Sequence, residues 1–266
     1  TPMRILMLIL ALSLQGLLAR PAAAFDAEHA AWTALLTQHV RWINQGTASQ
    51  VDYAGFARDR AALKAYLDTL SAVSASEYER WSLQDRQAFL INAYNAYTIE
   101  LVLTRWPGLE SIKDLGGWFS SPWKQRYFQL LGAERSLDEV EHDLIRGARG
   151  FDEPRIHFAV NCASIGCPAL RPEAYVGARL DAQLDDQTRR FLRDRTRNRY
   201  EAAGSVMRIS KLFDWYASDF NDATVFDFLT RYADDLTDDP TAERKLRIGA
   251  IDLEYSEYDW RLNGVR

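Results

Sequence analysis

The chain has 266 residues, of which 47% are hydrophobic and 12% aromatic, and its formal net charge is −5 at pH 7. This apolar share is enough to build the core of one large domain or two small ones without cross-links. An acidic chain without a basic stripe argues against nucleic acid as a partner and against electrostatic docking on anionic lipid.

The N-terminal segment has the pattern of a secretory signal peptide. Arg4 supplies a short positive region, residues 5–18 form a mostly apolar run, and residues 22–24 are three alanines that suit a cleavage site. The run is too short and too interrupted by polar residues for a good membrane-spanning helix. We therefore expect residues 1–24 to be removed. Residues 25–266 would then be a single domain without a stable membrane span, periplasmic or secreted, where disulfides persist.

Hydrophobic spacing along the rest of the chain predicts an α+β fold in a single globular domain. Helices are expected over residues 27–44, 60–70, 83–105, 136–146, 177–195, 213–221 and 225–233. Extended segments are expected over residues 124–131, 155–161 and 250–255, with a hairpin in 200–209. We expect the helices to pack on a small, mainly antiparallel sheet. The order of a central helix, an acid–histidine pair and a histidine strand is compatible, by analogy alone, with a papain- or transglutaminase-like layout.

The predicted helix 83–105 is apolar at almost every position, which is typical of a helix that is buried on all sides. Asn92, Asn95 and Thr98 form a polar stripe within it, at a spacing of three residues. A buried amide without a partner costs roughly 1–3 kcal/mol, so these side chains should bond something specific. They either form a structural network that maintains the packing or provide the polar floor of a pocket.

A second polar position occurs on the apolar face of helix 136–146, which begins with Ser136 and Glu139 spaced as a capping box. Glu141 lies on the inward face of this helix and His142 flanks it. A buried carboxylate must be paired or must shift its pKa. Glu141 could therefore orient a catalytic histidine, or it could make a structural bond to an arginine or to the backbone.

Residues 155–170 hold both cysteines of the chain and one of its four histidines. Alternation predicts that His157 and Asn161 lie on one face of a strand that ends in a loop bearing Cys162 and Cys167. Either cysteine could act as a nucleophile, with His157 or His142 as the base. The alternative is a disulfide between the two cysteines, which the export signal and the even cysteine count favour.

Three further features point to structure rather than to chemistry. His39 lies on the apolar stripe of the first helix and is interpreted as a histidine at the edge of the core. Tyr255, Tyr258 and Trp260 form an aromatic group near the C-terminus, for which core packing is favoured over sugar stacking. Since the Cys-x4-Cys spacing with a nearby histidine does not match usual zinc sites, we expect no metal and no cofactor.

Five motifs resemble those of the DUF547 family, a domain of unknown function. They are Phe89–Asn95, Leu137–His142, Arg155–Ala159 followed by Cys162 and Cys167, Lys211–Phe220, and Tyr258–Asn263. The resemblance extends from about residue 53 to residue 263. It implies a shared site without assigning an activity, at positions that map here to Asn92, Tyr94, Asn95, Glu141, His142, His157, Cys162, Cys167 and Pro168.

Two functional hypotheses follow. The first is an exported hydrolase or transferase that acts on amide- or peptide-like envelope material. Its candidate catalytic residues are His157, Glu141, His142, Cys162 and Cys167, and its candidate substrate-binding residues are Asn92, Tyr94, Asn95 and Asn161. The second is a non-catalytic periplasmic binding or interaction domain with a structural Cys162–Cys167 disulfide. In both cases the expected partner is a small-molecule or peptide-like ligand.

Overall fold

The computed structural model describes residues 24–116, 121–146, 152–220 and 225–265. The predicted signal peptide, residues 1–24, therefore lies outside the described residues except for Ala24. Among the helices of the described part, none is long and apolar enough to cross a membrane.

The described segments are rich in helices, most of them short. The α-helices are α1 (Ala30–His39), α2 (Tyr53–Arg58), α3 (Arg60–Ala72), α4 (Ala75–Tyr78), α5 (Leu83–Leu103), α6 (Leu137–Glu139), α7 (Leu180–Arg193), α8 (Leu212–Trp215), α9 (Val225–Arg231), α10 (Ala233–Leu236) and α11 (Pro240–Arg247). A π-helix, Val140–Arg146, continues α6 directly. Short 3-10 helices occur at Ile112–Leu115, Pro122–Lys124, Pro154–Phe158, Gly177–Arg179 and Ala217–Phe220.

The strands form three small sheets instead of the single sheet that the sequence predicts. Strands β1 (Val40–Ile43) and β2 (Ala48–Val51) pair antiparallel, as do β3 (Phe128–Leu130) and β4 (Ala133–Arg135). Strand β5 (Arg199–Glu201) pairs antiparallel with β6 (Val206–Ile209), and β6 pairs parallel with β7 (Asp252–Tyr255). The α+β class is confirmed, whereas the papain-like layout is not.

Helix α5 is the centre of the larger hydrophobic core. The Ser82 side chain caps its N-terminus by accepting a hydrogen bond from the Asp85 backbone N–H, and the helix is buried along nearly its whole length. Helix α3 packs against α5 and α1 packs against α3, and aromatic rings such as Trp32 and Phe89 belong to this core. A second cluster packs α7 and α9 around the buried ring of Phe158. The two clusters place residues 154–168 between them.

Three predicted elements are wrong in part or whole. The helix predicted over 213–221 is divided into α8 and the 3-10 helix Ala217–Phe220. The first helix ends at His39 instead of continuing to residue 44, because the next four residues pair with β2 as strand β1. The strand predicted over 155–161 is a 3-10 helix that ends at Phe158. Pro154 at its first position and the Glu153 side chain, which accepts from the Arg155 N–H, favour a helical start. Residues 156–161 are all buried, so the alternation in the sequence does not mark two faces of a strand.

Candidate functional site

The family motifs converge on a cavity of about 220 Å³ between segments that are distant in the chain. Helix α5, the π-helix, the 3-10 helix 154–158, the disulfide loop, the segment 212–216 and the segment 258–260 all contribute to its walls. The lining residues are Tyr94, Ser121, Trp123, Asp138, Glu141, His142, His157, Val160, Cys162, Cys167, Pro168, Leu212, Trp215, Tyr216, Tyr258 and Trp260. Of the nine candidate catalytic and substrate-binding residues, six line this cavity.

Cys162 and Cys167 form a disulfide in the wall of this cavity, with 6.0 Å between their Cα atoms. The hydroxyl of Tyr258 lies 3.2 Å from the Cys162 sulfur and donates to the Cys167 sulfur at 3.1 Å. The Tyr258 ring also packs on Gly166, where an added Cβ would lie only 2.9 Å from its atoms. The disulfide alternative is confirmed, and both sulfurs are bonded to each other instead of being free to attack a substrate.

The three candidate binding asparagines hold the backbone around the cavity and do not line it. Asn92 bonds both backbone groups of Tyr175, through its amide N at 2.7 Å and its amide O at 2.9 Å. Asn95 donates to the Ala159 carbonyl at 3.0 Å and accepts from the Asn161 N–H at 2.8 Å. Their amides are buried and hydrogen-bonded to backbone groups. The structure therefore favours a structural network of asparagines over asparagines that contact a substrate directly.

Asn161 extends this network to the disulfide loop. Its amide N donates to the Pro168 carbonyl at 2.7 Å, and its amide O accepts from the Ala163 N–H at 3.0 Å. The loop is therefore held to α5 through Asn161 and Asn95 in succession. Its conformation depends on these side chains as well as on the disulfide.

Arg146 is the centre of a polar network beneath the cavity. Its Nε and Nη2 atoms donate to the two carboxylate oxygens of Asp219 at 2.5 and 2.9 Å. Its Nη1 atom donates to Nδ1 of His142 at 2.5 Å, and the guanidinium lies 4.8 Å from the centroid of the Tyr216 ring. One arginine thus connects the π-helix to the segment that carries Tyr216 and Asp219.

His157 is enclosed by this network. Its Nε2 atom hydrogen-bonds Asp219 at 2.8 Å, and its ring stacks on Tyr216 with centroids 4.0 Å apart. Only 1% of its side chain is exposed, and within the described residues Nδ1 has no hydrogen-bond partner. Burial acts to raise the pKa of Asp219, but hydrogen bonds from Arg146 and His157 outweigh it and hold that pKa well below its ordinary value.

His142 is more open, with 37% of its side chain exposed. An arginine can only donate, so Nδ1 of His142 must accept from Arg146, and the proton of the neutral imidazole lies on Nε2. That nitrogen is 3.7 Å from an oxygen of Asp138. While Arg146 holds the Nδ1 lone pair, His142 presents a hydrogen-bond donor and is not available as a base.

Glu141 is the buried carboxylate of the cavity, with 6% of the residue exposed. It accepts a hydrogen bond from the hydroxyl of Tyr216 at 2.6 Å, and none of the described cationic side chains forms an ion pair with it. Burial, together with the charge of Glu141, raises the pKa of Tyr94 and of Tyr216 well above the ordinary tyrosine value. Both phenols are therefore hydrogen-bond donors at neutral pH.

Aromatic rings form the remaining wall. Tyr258 lies 4.5 Å from Trp260 and 4.8 Å from Trp215 between ring centroids, and Trp123 lies 6.0 Å from Trp260. Tyr258 packs against the second hydrophobic cluster, as predicted, and it also lines the cavity together with Trp260. Trp123, Trp215, Tyr216 and Asp219 were not predicted from the sequence as site residues. Only the family motif Lys211–Phe220 marked the last three, since no local pattern distinguishes them.

His39 lies apart from the cavity. It is buried, and its Nε2 atom hydrogen-bonds Asp59 at 2.8 Å, which confirms the interpretation as a histidine at the edge of the core. Throughout the described ranges, no group of three or more His, Cys, Asp or Glu side chains is placed to hold a metal ion.

Comparison with known proteins gives one positive result. Residues 78–192 match the model of a family described as "Protein of unknown function, DUF547". This segment holds α5, the π-helix, the disulfide loop and α7, and so contributes Glu141, His157 and both cysteines to the cavity. The comparisons with curated proteins and with solved structures found no match. The match confirms the DUF547 resemblance over residues 78–192, which hold three of the five motifs.

Proposed function

We propose that the protein is an exported binding domain that holds a small-molecule or peptide-like ligand in the cavity beside the disulfide loop. The observation that carries this proposal is the way in which the cavity is braced. The disulfide closes a loop in its wall, the Asn161 N–H donates to Asn95 of α5, and Arg146 pairs with Asp219 next to the cavity. A concave, largely aromatic site with a few convergent polar groups, formed before its ligand arrives, is the general form of small-molecule sites.

The same geometry favours binding over thiol catalysis. Both sulfurs are engaged in the disulfide, and the His142 lone pair is engaged by Arg146. His157 is buried between Tyr216 and Asp219. Nucleophilic catalysis needs a thiolate with a base within hydrogen-bond reach. In this arrangement the disulfide, His142 and His157 line the cavity and maintain its shape.

Export is part of the proposal. The signal-like segment 1–24 motivates it, and a disulfide at the site supports it, because disulfides persist in oxidising compartments. Expression from the natural leader in a Gram-negative host, followed by N-terminal sequencing of the periplasmic product, tests it. The expected N-terminus is Phe25, whereas recovery of the uncleaved chain from the cytoplasm contradicts the proposal.

Binding is tested by isothermal titration of the disulfide-intact protein with free dipeptides and with N-acetylated dipeptide amides. Ser121 lines the cavity, so Ser121→Trp should fill it and reduce affinity at least tenfold. Ser76→Trp places the same bulk on an exposed turn of α4 and should leave affinity unchanged. Equal binding by the two variants, or no binding by the unmodified protein, contradicts the proposal.

A second candidate function, hydrolysis or acyl transfer on amide- or peptide-like compounds, is favoured by one observation. Glu141 is a buried carboxylate in the cavity that receives a hydrogen bond from Tyr216, which suits a general acid or base. Glu141→Gln should then lower turnover of an amide or ester substrate by about 10²- to 10⁴-fold. Turnover that appears only after reduction of the disulfide would assign the reaction to the cysteines instead.

A further inference from the structure

The polar and aromatic groups of the cavity share one electrostatic preference. Asp138 and Glu141 are carboxylates, and of the described residues that line the cavity none is lysine or arginine. The Nδ1 atom of His142 accepts a hydrogen bond from Arg146, which is itself paired with Asp219. The described lining is therefore negative overall, and it favours a positively charged group on the ligand.

Among the described residues, no cationic side chain forms an ion pair with the buried carboxylate of Glu141. Its hydrogen-bond partners are the neutral phenols of Tyr216 and Tyr94, and the neighbouring guanidinium of Arg146 bonds Asp219. A buried charge is costly unless it is paired as well as hydrogen-bonded. A cation on the ligand would complete the pair, at a place where the chain itself supplies no ion-pair partner from the described residues.

The aromatic wall provides a second, independent attraction for a cation. The negative face of an indole or phenol ring attracts ammonium groups, most strongly in tryptophan. Trp215, Tyr258 and Trp260 present such rings with centroids 4.5 to 5.7 Å apart. Trp260 already attracts one cation of the chain itself, because Nζ of Lys113 lies 3.6 Å from its ring centroid. Several aromatic rings and a carboxylate in the wall of one cavity are the groups that select ammonium ligands over neutral ones of the same shape.

We infer that the ligand of this cavity carries an ammonium group, bound between the Glu141 carboxylate and the rings of Trp215, Tyr258 and Trp260. The inference rests on the proposed binding function and names its ligand class: amines and quaternary ammonium compounds, including amino groups of peptides. Glu141 neutralises the charge, and the rings exclude water and contact the methyl or methylene groups around the nitrogen.

The test compares cationic probes with neutral probes of similar size and shape. Choline and its neutral carbon isostere, 3,3-dimethylbutan-1-ol, are titrated into the full chain with the disulfide intact, with tryptophan fluorescence and calorimetry as readouts. n-Butylammonium and n-butanol form a second pair. We expect each cation to bind at least tenfold more tightly than its neutral counterpart. Equal affinity within a pair overturns the inference.

Variants assign the effect to the cavity. Glu141→Gln keeps an acceptor for Tyr216 but removes the charge, and it should reduce the cation-to-neutral ratio at least fivefold. Asp143→Asn removes the same charge from an exposed position of the same π-helix and should leave the ratio unchanged. Trp215→Leu, at a residue that is 43% exposed, should also reduce the ratio without unfolding the protein. If Glu141→Gln and Asp143→Asn lower the cation-to-neutral ratio equally, the preference for cations comes from the overall charge of the protein, and the inference is overturned.

The two proposals fail in different ways. If N-acetylated dipeptide amides bind in a manner that Ser121→Trp abolishes while the cations bind no better than their isosteres, the ammonium inference is wrong and the binding function stands. If neither the peptides nor the ammonium probes bind, both are wrong.

Discussion

The Nε2 atom of His157 lies 2.8 Å from a carboxylate oxygen of Asp219, which is 62 residues further along the chain. Arg146 donates to both oxygens of the same carboxylate. The Asp219 side chain, in the segment after α8, thus bonds both the π-helix, through Arg146, and the 3-10 helix 154–158, through His157. The cavity therefore depends on Asp219 although this residue does not line it.

Replacing Asp219 by asparagine should show this dependence. Asp219→Asn keeps the shape but removes the charge that Arg146 and His157 bond, and hydrogen bonds to charged groups contribute about 1.5–3 kcal/mol. We expect the free energy of unfolding in urea at neutral pH to fall by about 2 kcal/mol. Asp214→Asn, which breaks a more exposed ion pair with Lys211, is the matched control and should change stability by less than about 0.5 kcal/mol. Similar losses in both variants would contradict the role given to Asp219.

The disulfide should leave no reactive thiol in the native protein. With both cysteines of the chain paired, a thiol reagent should modify none before reduction and two after reduction and unfolding. The Cys162→Ser/Cys167→Ser double variant should lose about 2 kcal/mol of unfolding free energy, because a short closed loop restricts the unfolded chain only modestly. Two thiols that react in the native exported protein would show that the disulfide is not its resting state.

A side chain at position 166 should be incompatible with the observed position of the Tyr258 ring. A Cβ there would lie 2.9 Å from three atoms of the Tyr258 ring, closer than real contacts allow. Gly166→Ala should therefore displace the ring, weaken ligand binding at least threefold and cost about 1–3 kcal/mol of stability. Gly108→Ala, where the nearest atom is 3.5 Å away, is the control. Chemical denaturation with ligand titration measures both effects, and unchanged affinity in Gly166→Ala would show that Tyr258 does not shape the site.

His29 should make stability depend on pH. It is buried against Tyr66, with 2.7 Å between Nδ1 and the hydroxyl oxygen, and burial lowers its pKa to about 4 from the ordinary value of 6.5. The unfolded chain binds this proton more tightly, so the contribution of neutral His29 is complete above about pH 6.5 and is lost as the pH falls toward 4. The expected loss is about 3 kcal/mol over this range.

Urea unfolding between about pH 4.5 and pH 7.5 measures this effect. His29 has a backbone φ of 49°, in the left-handed region, which asparagine adopts more readily than most residues. His29→Asn should therefore flatten the pH dependence without straining the backbone. An equally steep dependence in the variant would assign it to the other histidines.

Features that depend on neighbours in the chain could be predicted from the sequence. The capping box of Ser136 and Glu139, the buried α5 and the hairpin of β5 and β6 all form as predicted, because caps, apolar spacing and tight turns act over a few residues. The buried Asn92 and Asn95 were recognised as needing partners, since an unpaired buried amide is costly. The prediction of a strand over 155–161 is wrong. Residues 156–161 are all buried, so their apolar side chains do not mark one face of a strand.

What the sequence by itself determined is therefore the helical segments, the polar positions inside them and the family. Only the tertiary structure decided which groups meet: that Asp219 and not Glu141 bonds His157, that Asn95 holds the disulfide loop, and that Trp215 and Trp260 face a cavity. The physical reason is distance along the chain. Contacts between residues tens of positions apart are set by how whole segments pack, and no local pattern records the partner.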